Sequence, residues 1–140
     1  MQAGASTTVP SATEWSDRAA ALSTFRRYTE AFRSLDACAV AAFFHAPAVM
    51  LTPRGDFALP TAAEVERTYA RVMEDARARG YATTTFDRLD ARRFGVGIVS
   101  IEGAGAWRDG KGNVIERFEL SYVLRRTGGG WRIVLASIAA

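Results

Sequence analysis

The residues of this chain able to do chemistry are few and far apart. Tyr28, His45, Thr52 and Tyr122 offer two phenols, an imidazole and a hydroxyl, Cys38 is the single thiol, and Glu102 and Glu119 lie in β-prone stretches. A phenol in an apolar pocket can orient a carbonyl or hydroxyl of a ligand, contributing on the order of 1 kcal/mol net. Moving a proton off carbon needs in addition a base of suitable pKa within hydrogen-bond reach. Glu102 and Glu119 would serve only if their strands turn them inward, and alternation puts Glu119 on the more polar face of its strand. His45, the only histidine, comes at the expected end of a helix and is read as a surface residue there. One imidazole with no carboxylate cluster implies no metal and no cofactor. Cys38 lies two helical turns before His45, roughly 10 Å along the axis and too far for a thiolate–imidazole pair. It is read as a buried small hydrophobe. Gly95-Val96-Gly97 and Gly110-Lys111-Gly112 open no helix, so neither is a phosphate loop.

The elements that must position these groups are organised around Ile115–Ile138, which reads IERFELSYVLRR, TGGG, WRIVLASI. Aromatic and β-branched arms around a glycine-rich break predict a long β-hairpin. Alternation puts Phe118, Leu120, Tyr122 and Leu124 on one face, which needs a core. Earlier in the chain, Ser11-Ala12-Thr13-Glu14 is a capping box opening a helix of about six turns. Its apolar stripe runs Trp15, Ala19, Leu22, Phe25, Tyr28, Phe32, Leu35. Asp36 caps a second helix, ACAVAAFF, ending near His45-Ala46-Pro47, and AVMLTP follows as a strand. Arg54-Gly55-Asp56 is read as a turn into the next helix, since an adhesion role would need an extracellular protein. Pro60-Thr61-Ala62-Ala63-Glu64 opens the third helix with a second capping box, a stripe of Val65, Tyr69, Val72, Met73 and Ala76, and Gly80 at its end. YATTTFDRLDA and FGVGIVSIEGAGAW are strands, the second with evenly spaced glycines that imply curvature or close backbone approach. Asp109–Asn113 turns into the final hairpin.

Composition bounds what this assembly can be. The chain has 140 residues, 49% of them hydrophobic and 24% charged, which fits one globular domain over residues 13–140 behind a flexible arm over residues 1–12. The net charge of +3 comes from arginines interleaved with acids, as in Arg71, Glu74, Asp75, Arg77 and Arg79. That placement argues against nucleic acid. No apolar run approaches the ~20 residues of a membrane span. The N-terminus does not resemble a secretion signal, and one cysteine fits a reducing cytoplasm, so a cytoplasmic location is expected.

Helices ahead of a curved antiparallel meander, with FRRYTEAFRSLDACAVAAFF leading to AVMLTPRG and YVLRRTGGGWRIV closing the chain, resemble the nuclear transport factor two-like superfamily. Ketosteroid isomerase, scytalone dehydratase, limonene epoxide hydrolase and the polyketide cyclases belong to it. The resemblance covers about residues 13–138 and implies an α+β fold: a cone-shaped, mostly antiparallel sheet with three N-terminal helices packed on its concave face. In the isomerases a tyrosine on the first helix donates to the developing oxyanion, and Tyr28 matches it. Their base is an aspartate before a proline at the end of the first strand; here Thr52 precedes Pro53. Their protonated late-strand aspartate aligns, within one residue, with Ser121-Tyr122. One role in three survives, so the isomerase activity is not carried over. The dehydratase's histidine–aspartate set and the epoxide hydrolase's Asp-Arg-Asp set find no match.

The leading expectation is a protein that binds a small apolar or amphipathic molecule in a pocket between sheet and helices. The expected lining is Phe25, Tyr28, Phe44, Met50, Thr52, Met73, Phe86, Tyr122 and Leu135. The alternatives are a cofactor-independent cyclase, isomerase or hydrolase using an unplaced carboxylate, and an interaction module. Three helices cover one face of a five-stranded sheet, so its other face, carrying Val123 with Trp131 as a further candidate, is expected to pair two copies into a homodimer.

Overall fold

The computed structural model describes residues 11–140. All but the last two residues of the expected arm over 1–12 lie outside the described residues. Ser11 caps α1 (Ala12–Arg33) through the reciprocal pair its sequence implies: Glu14 N donates to Ser11 Oγ at 3.1 Å, and Ser11 N donates to Glu14 Oε1 at 3.2 Å. The expected apolar stripe holds only from Phe25 onward. Upstream the inner face is Asp17, Ala21 and Thr24, while Trp15 is 55% exposed. A carboxylate takes the inner position because two guanidinium groups wait for it there. Asp17 Oδ2 accepts from Arg93 Nε at 3.1 Å and Asp17 Oδ1 from Arg126 Nη1 at 3.0 Å.

Asp36 caps α2 (Ala37–Ala41), but this helix stops well short of Phe44. Pro47 cannot sit inside a helix, and the segment before it is captured by a strand partner instead. Ile133 N donates to Phe43 O at 2.8 Å, and Phe44 begins β1 (Phe44–Thr52). His45 is therefore a strand residue, its Nδ1 2.9 Å from Pro47 O, and not the end of a helix. Cys38, expected to be buried, is exposed, because Val40 and Ala41 form the inner side of so short a helix.

The segment read as a turn also differs. Arg54-Gly55-Asp56 leads into a strand, β2 (Gly55–Leu59), which pairs antiparallel with β1 in the register Thr52↔Gly55 to Ala48↔Leu59. The sheet is thus six-stranded where five strands were expected. α3 (Ala62–Ala78) starts at Thr61, whose hydroxyl accepts from Glu64 N at 3.2 Å, and its stripe buries Val65, Tyr69, Met73 and Ala76. Gly80 follows with φ +82°, the left-handed conformation a helix stop favours.

β3 (Tyr81–Arg93), β4 (Ile98–Asp109), β5 (Val114–Thr127) and β6 (Gly130–Ala139) complete the sheet in the order β2-β1-β6-β5-β4-β3. Every pairing is antiparallel except β1 with β6. Gly95 and Gly97 lie in the β3–β4 turn, outside the strand expected there, with φ +79° and +71°. Gly103 and Gly105 do mark a close approach. A Cβ on Gly103 would stand 2.6 Å from Arg88 O, and one on Gly105 would collide with Thr85 O. They face the bulge of β3 between Phe86 and Arg88, where the strand bends. The fold is α+β, a mostly antiparallel curved sheet with α1 and α3 on its inner face. That face buries Val99, Ile101, Leu120, Tyr122, Leu124 and Ile133. Trp131 belongs with them at 7% exposure and does not lie on the outer face. It stands opposite Arg126, which reaches inward to Asp17 on α1.

Candidate functional site

Between α1, α3 and the inner face of the sheet lies a cavity of about 680 Å³. α1 supplies Phe25, Tyr28 and Phe32 at helical spacing, and α3 supplies Thr68, Tyr69 and Val72. Met50 and Thr52 come from β1, and the sheet adds Thr84, Phe86, Trp107, Phe118, Leu120, Tyr122 and Ile138. The volume falls within the range of small-molecule sites, ~300–1,000 Å³.

Three phenols meet in this wall. Tyr28 Oη is 2.7 Å from Tyr69 Oη and 2.6 Å from Tyr122 Oη, so both hydrogen bonds run through Tyr28. The rings are held by their neighbours: Phe25 meets Tyr122 edge-on at 5.2 Å, and Phe44 lies 5.4 Å from Tyr69. Burial pushes the Tyr28 phenol well above its ordinary pKa, and the two nearby phenols push it further. Burial likewise raises Tyr69 well above the usual value, and raises Tyr122, where the neighbouring phenols of Tyr28 and Tyr69 partly offset it. The group is therefore a neutral donor set at physiological pH and not a base.

A proton count follows from this geometry. Three phenols carry three protons, and two internal hydrogen bonds use two of them. One O–H is left over in every arrangement: that of Tyr28 if it accepts from both neighbours, otherwise that of Tyr69 or Tyr122. All three residues line the cavity, so the unmatched donor has the cavity to serve.

Of the residues expected to line a pocket, Phe25, Tyr28, Met50, Thr52, Phe86 and Tyr122 do line the cavity. Phe44 and Met73 are buried core residues outside its lining. Leu135 is a correction: it pairs with Val123 and Val49, on the strand face opposite Tyr122 and Met50. The register slips by one residue at the bulge between Val123 and Leu124, and simple alternation from Ile133 hides that slip. Thr52 lines the cavity, but its hydroxyl is committed. It donates to Gly55 O at 3.1 Å and accepts from Arg54 N at 3.1 Å, fixing the β1–β2 turn.

Tyr69 was missed as a site residue, although its place on the α3 stripe marked it as buried. Nothing in local spacing reveals that it meets Tyr28. An acid–guanidinium–acid group that local spacing does not reveal is also present. Arg79 Nη1 lies 3.4 Å from Asp75 Oδ2 and 2.7 Å from Glu116 Oε1, joining the end of α3 to β5 at the partly exposed rim of the cavity. Glu102 and Glu119 are exposed and take no part in the cavity. Among the described residues, no group of three His, Cys, Asp or Glu side chains is placed to hold a metal. Among the same residues, no helix is long and apolar enough to cross a membrane.

Against known proteins, a family model described as NTF2-like protein (DUF6841) matches residues 16–140. No curated protein matches the sequence. Among solved structures, Aln2 from a Streptomyces species is similar with a TM-score of 0.73 at 20% identity, covering 94% of each chain. An NTF2-like protein with a cystatin-like fold from Novosphingobium aromaticivorans has a TM-score of 0.73 at 18% identity, covering 89% of this chain and 82% of that one. A ketosteroid isomerase-like protein from Erwinia carotovora has a TM-score of 0.68 at 17% identity, covering 88% and 95%. At these identities the likeness speaks for the fold.

Proposed function

This chain belongs to the NTF2-like family described as DUF6841, and from that premise we propose that it binds a small apolar or amphipathic molecule carrying a hydrogen-bond acceptor, its acceptor seated on the tyrosine cluster. The observation that carries the reading is the proton left over by Tyr28, Tyr69 and Tyr122 at the buried wall of a largely apolar cavity. A buried O–H without an acceptor is costly, and a ligand carbonyl or hydroxyl oxygen relieves it. The wall of Phe25, Met50, Phe86 and Phe118 suits a hydrophobic body. Proton abstraction from carbon has no support in this wall. The carboxylates of the lining, Asp75 and Glu116, stand at the rim on Arg79.

The test is the affinity of a neutral naphthyl ketone against a hydrocarbon of the same shape. The ketone is expected to bind about fivefold tighter, the worth of one net hydrogen bond. Equal affinity would refute the acceptor reading.

Pairing of two copies through the outer face of the sheet is the second part of the proposal. Val49, Leu135 and Val123 stand side by side across β1, β6 and β5, with Val49 41% exposed and the other two half-buried. An aliphatic row across three strands on the face away from the helices suits a second copy. Sedimentation at micromolar concentration is expected to give a dimer, and Leu135→Glu a monomer.

A further inference from the structure

The rim of the cavity bears on the other end of the ligand, given the acceptor reading above. Five charged side chains line the cavity: Arg54, Arg71, Asp75, Arg79 and Glu116. Arg79 takes up both acids, at 3.4 Å from Asp75 and 2.7 Å from Glu116. Arg54 and Arg71 form no ion pair with any carboxylate among the described residues. They come from different elements, the β1–β2 turn and α3. The Arg54 backbone is fixed, its N–H donating to Thr52 Oγ1 at 3.1 Å.

The polar groups are thus divided by kind. Thr52 is committed to the turn and Thr84 Oγ1 is 2.7 Å from Tyr81 Oη. Thr68 can donate or accept. The other unmatched side-chain groups are donors: one phenol O–H inside, the Trp107 indole N–H, and two guanidinium groups at the rim. Two cations without an ion-pair partner at the edge of an apolar chamber favour a negative group, and the planar guanidinium suits a carboxylate in particular. We infer that the cavity takes an amphipathic organic acid, with its neutral acceptor on the tyrosine cluster and its carboxylate on Arg54 and Arg71. The ligand would then lie lengthwise from the tyrosines to the rim. Neutral apolar molecules would use only the inner half of the recognition.

An environment-sensitive acylnaphthalene ketone carrying a carboxylate-ended chain, compared with its methyl ester, tests this by fluorescence titration. In low-salt buffer the acid is expected to bind about five- to tenfold tighter than the ester, from two rim-exposed ion pairs. The Arg54→Gln/Arg71→Gln variant should keep the ester's affinity and lower the acid's to match it. Added salt should narrow the gap in the native protein. Equal binding of acid and ester by the native protein, or an acid advantage that survives both substitutions, would overturn the inference while leaving the cavity reading intact. If neither probe binds, the cavity reading fails and the inference fails with it.

Discussion

Two three-membered polar clusters hang from the same helix, about 16 Å apart along its axis. At Asp17 a carboxylate accepts from Arg93 and Arg126, one guanidinium on each oxygen. At Tyr28 a phenol holds Tyr69 and Tyr122. The first ties α1 to β3 and β5 with the charge of Asp17 fully answered. The second cannot be complete by itself, because three hydroxyls in an open chain always leave one proton without an acceptor. Buried polar groups that saturate one another hold a fold together. Those that leave a donor facing a cavity define a place for something else.

The largest expected effect comes from breaking the saturated cluster. Asp17→Ala strands two cations at a buried site, and is expected to cost about 3 kcal/mol, at the low end for a buried pair because Arg126 keeps 45% of its side chain in solvent. Urea denaturation reads this directly. Ketone binding by the folded fraction should be unchanged, since Asp17 does not line the cavity.

Removing the hub of the other cluster should cost less. Tyr28→Phe leaves Tyr69 and Tyr122 buried with their mutual link gone, for a loss of about 2 kcal/mol. Replacing all three tyrosines by phenylalanine should be far gentler than the sum of single losses. It removes donors and acceptors together and keeps the ring shapes, so the variant is expected to lie within about 1 kcal/mol of the native protein. Denaturation of the single and triple variants side by side separates the two outcomes. A triple variant worse than Tyr28→Phe would mean that the tyrosines act as structural cement like Asp17.

The smallest effect is with pH. The folded phenols are raised above the unfolded value. Their contribution is therefore constant while both states stay protonated, below about pH 10, and is lost as pH rises through the folded values. Denaturation at about pH 8 and about pH 11 should show a steeper loss for the native protein than for the triple phenylalanine variant. The same slope in both would contradict the raised values.

Much of this was legible in the sequence, and the unread parts share a cause. The long hairpin shows its inner face by alternation, and Leu120, Tyr122 and Leu124 are indeed buried. The caps at Ser11, Asp36 and Thr61 each satisfy backbone N–H groups, as local chemistry requires. β2 was hidden because it begins inside a turn-forming tripeptide and its apolar run, Phe57-Ala58-Leu59, is too short to show a strand period. Nothing local to Asp17 marks it as buried, because its partners arrive from β3 and β5, far along the chain. The tyrosine cluster is assembled across sequence separations of 41 and 94 residues. Each phenol has the look of a stripe or strand residue alone, and only packing brings the hydroxyls together. Leu135 went astray through a single bulge, a one-residue slip that sends a side chain to the opposite face.

The claim that the tyrosine cluster holds a donor for a ligand is tested most directly by the infrared carbonyl stretch of a neutral naphthyl ketone bound in the cavity. A band at lower wavenumber than in hydrocarbon solvent is expected, returning to the hydrocarbon position in the triple phenylalanine variant. A bound ketone whose carbonyl band in the native protein already sits at the hydrocarbon position would contradict it.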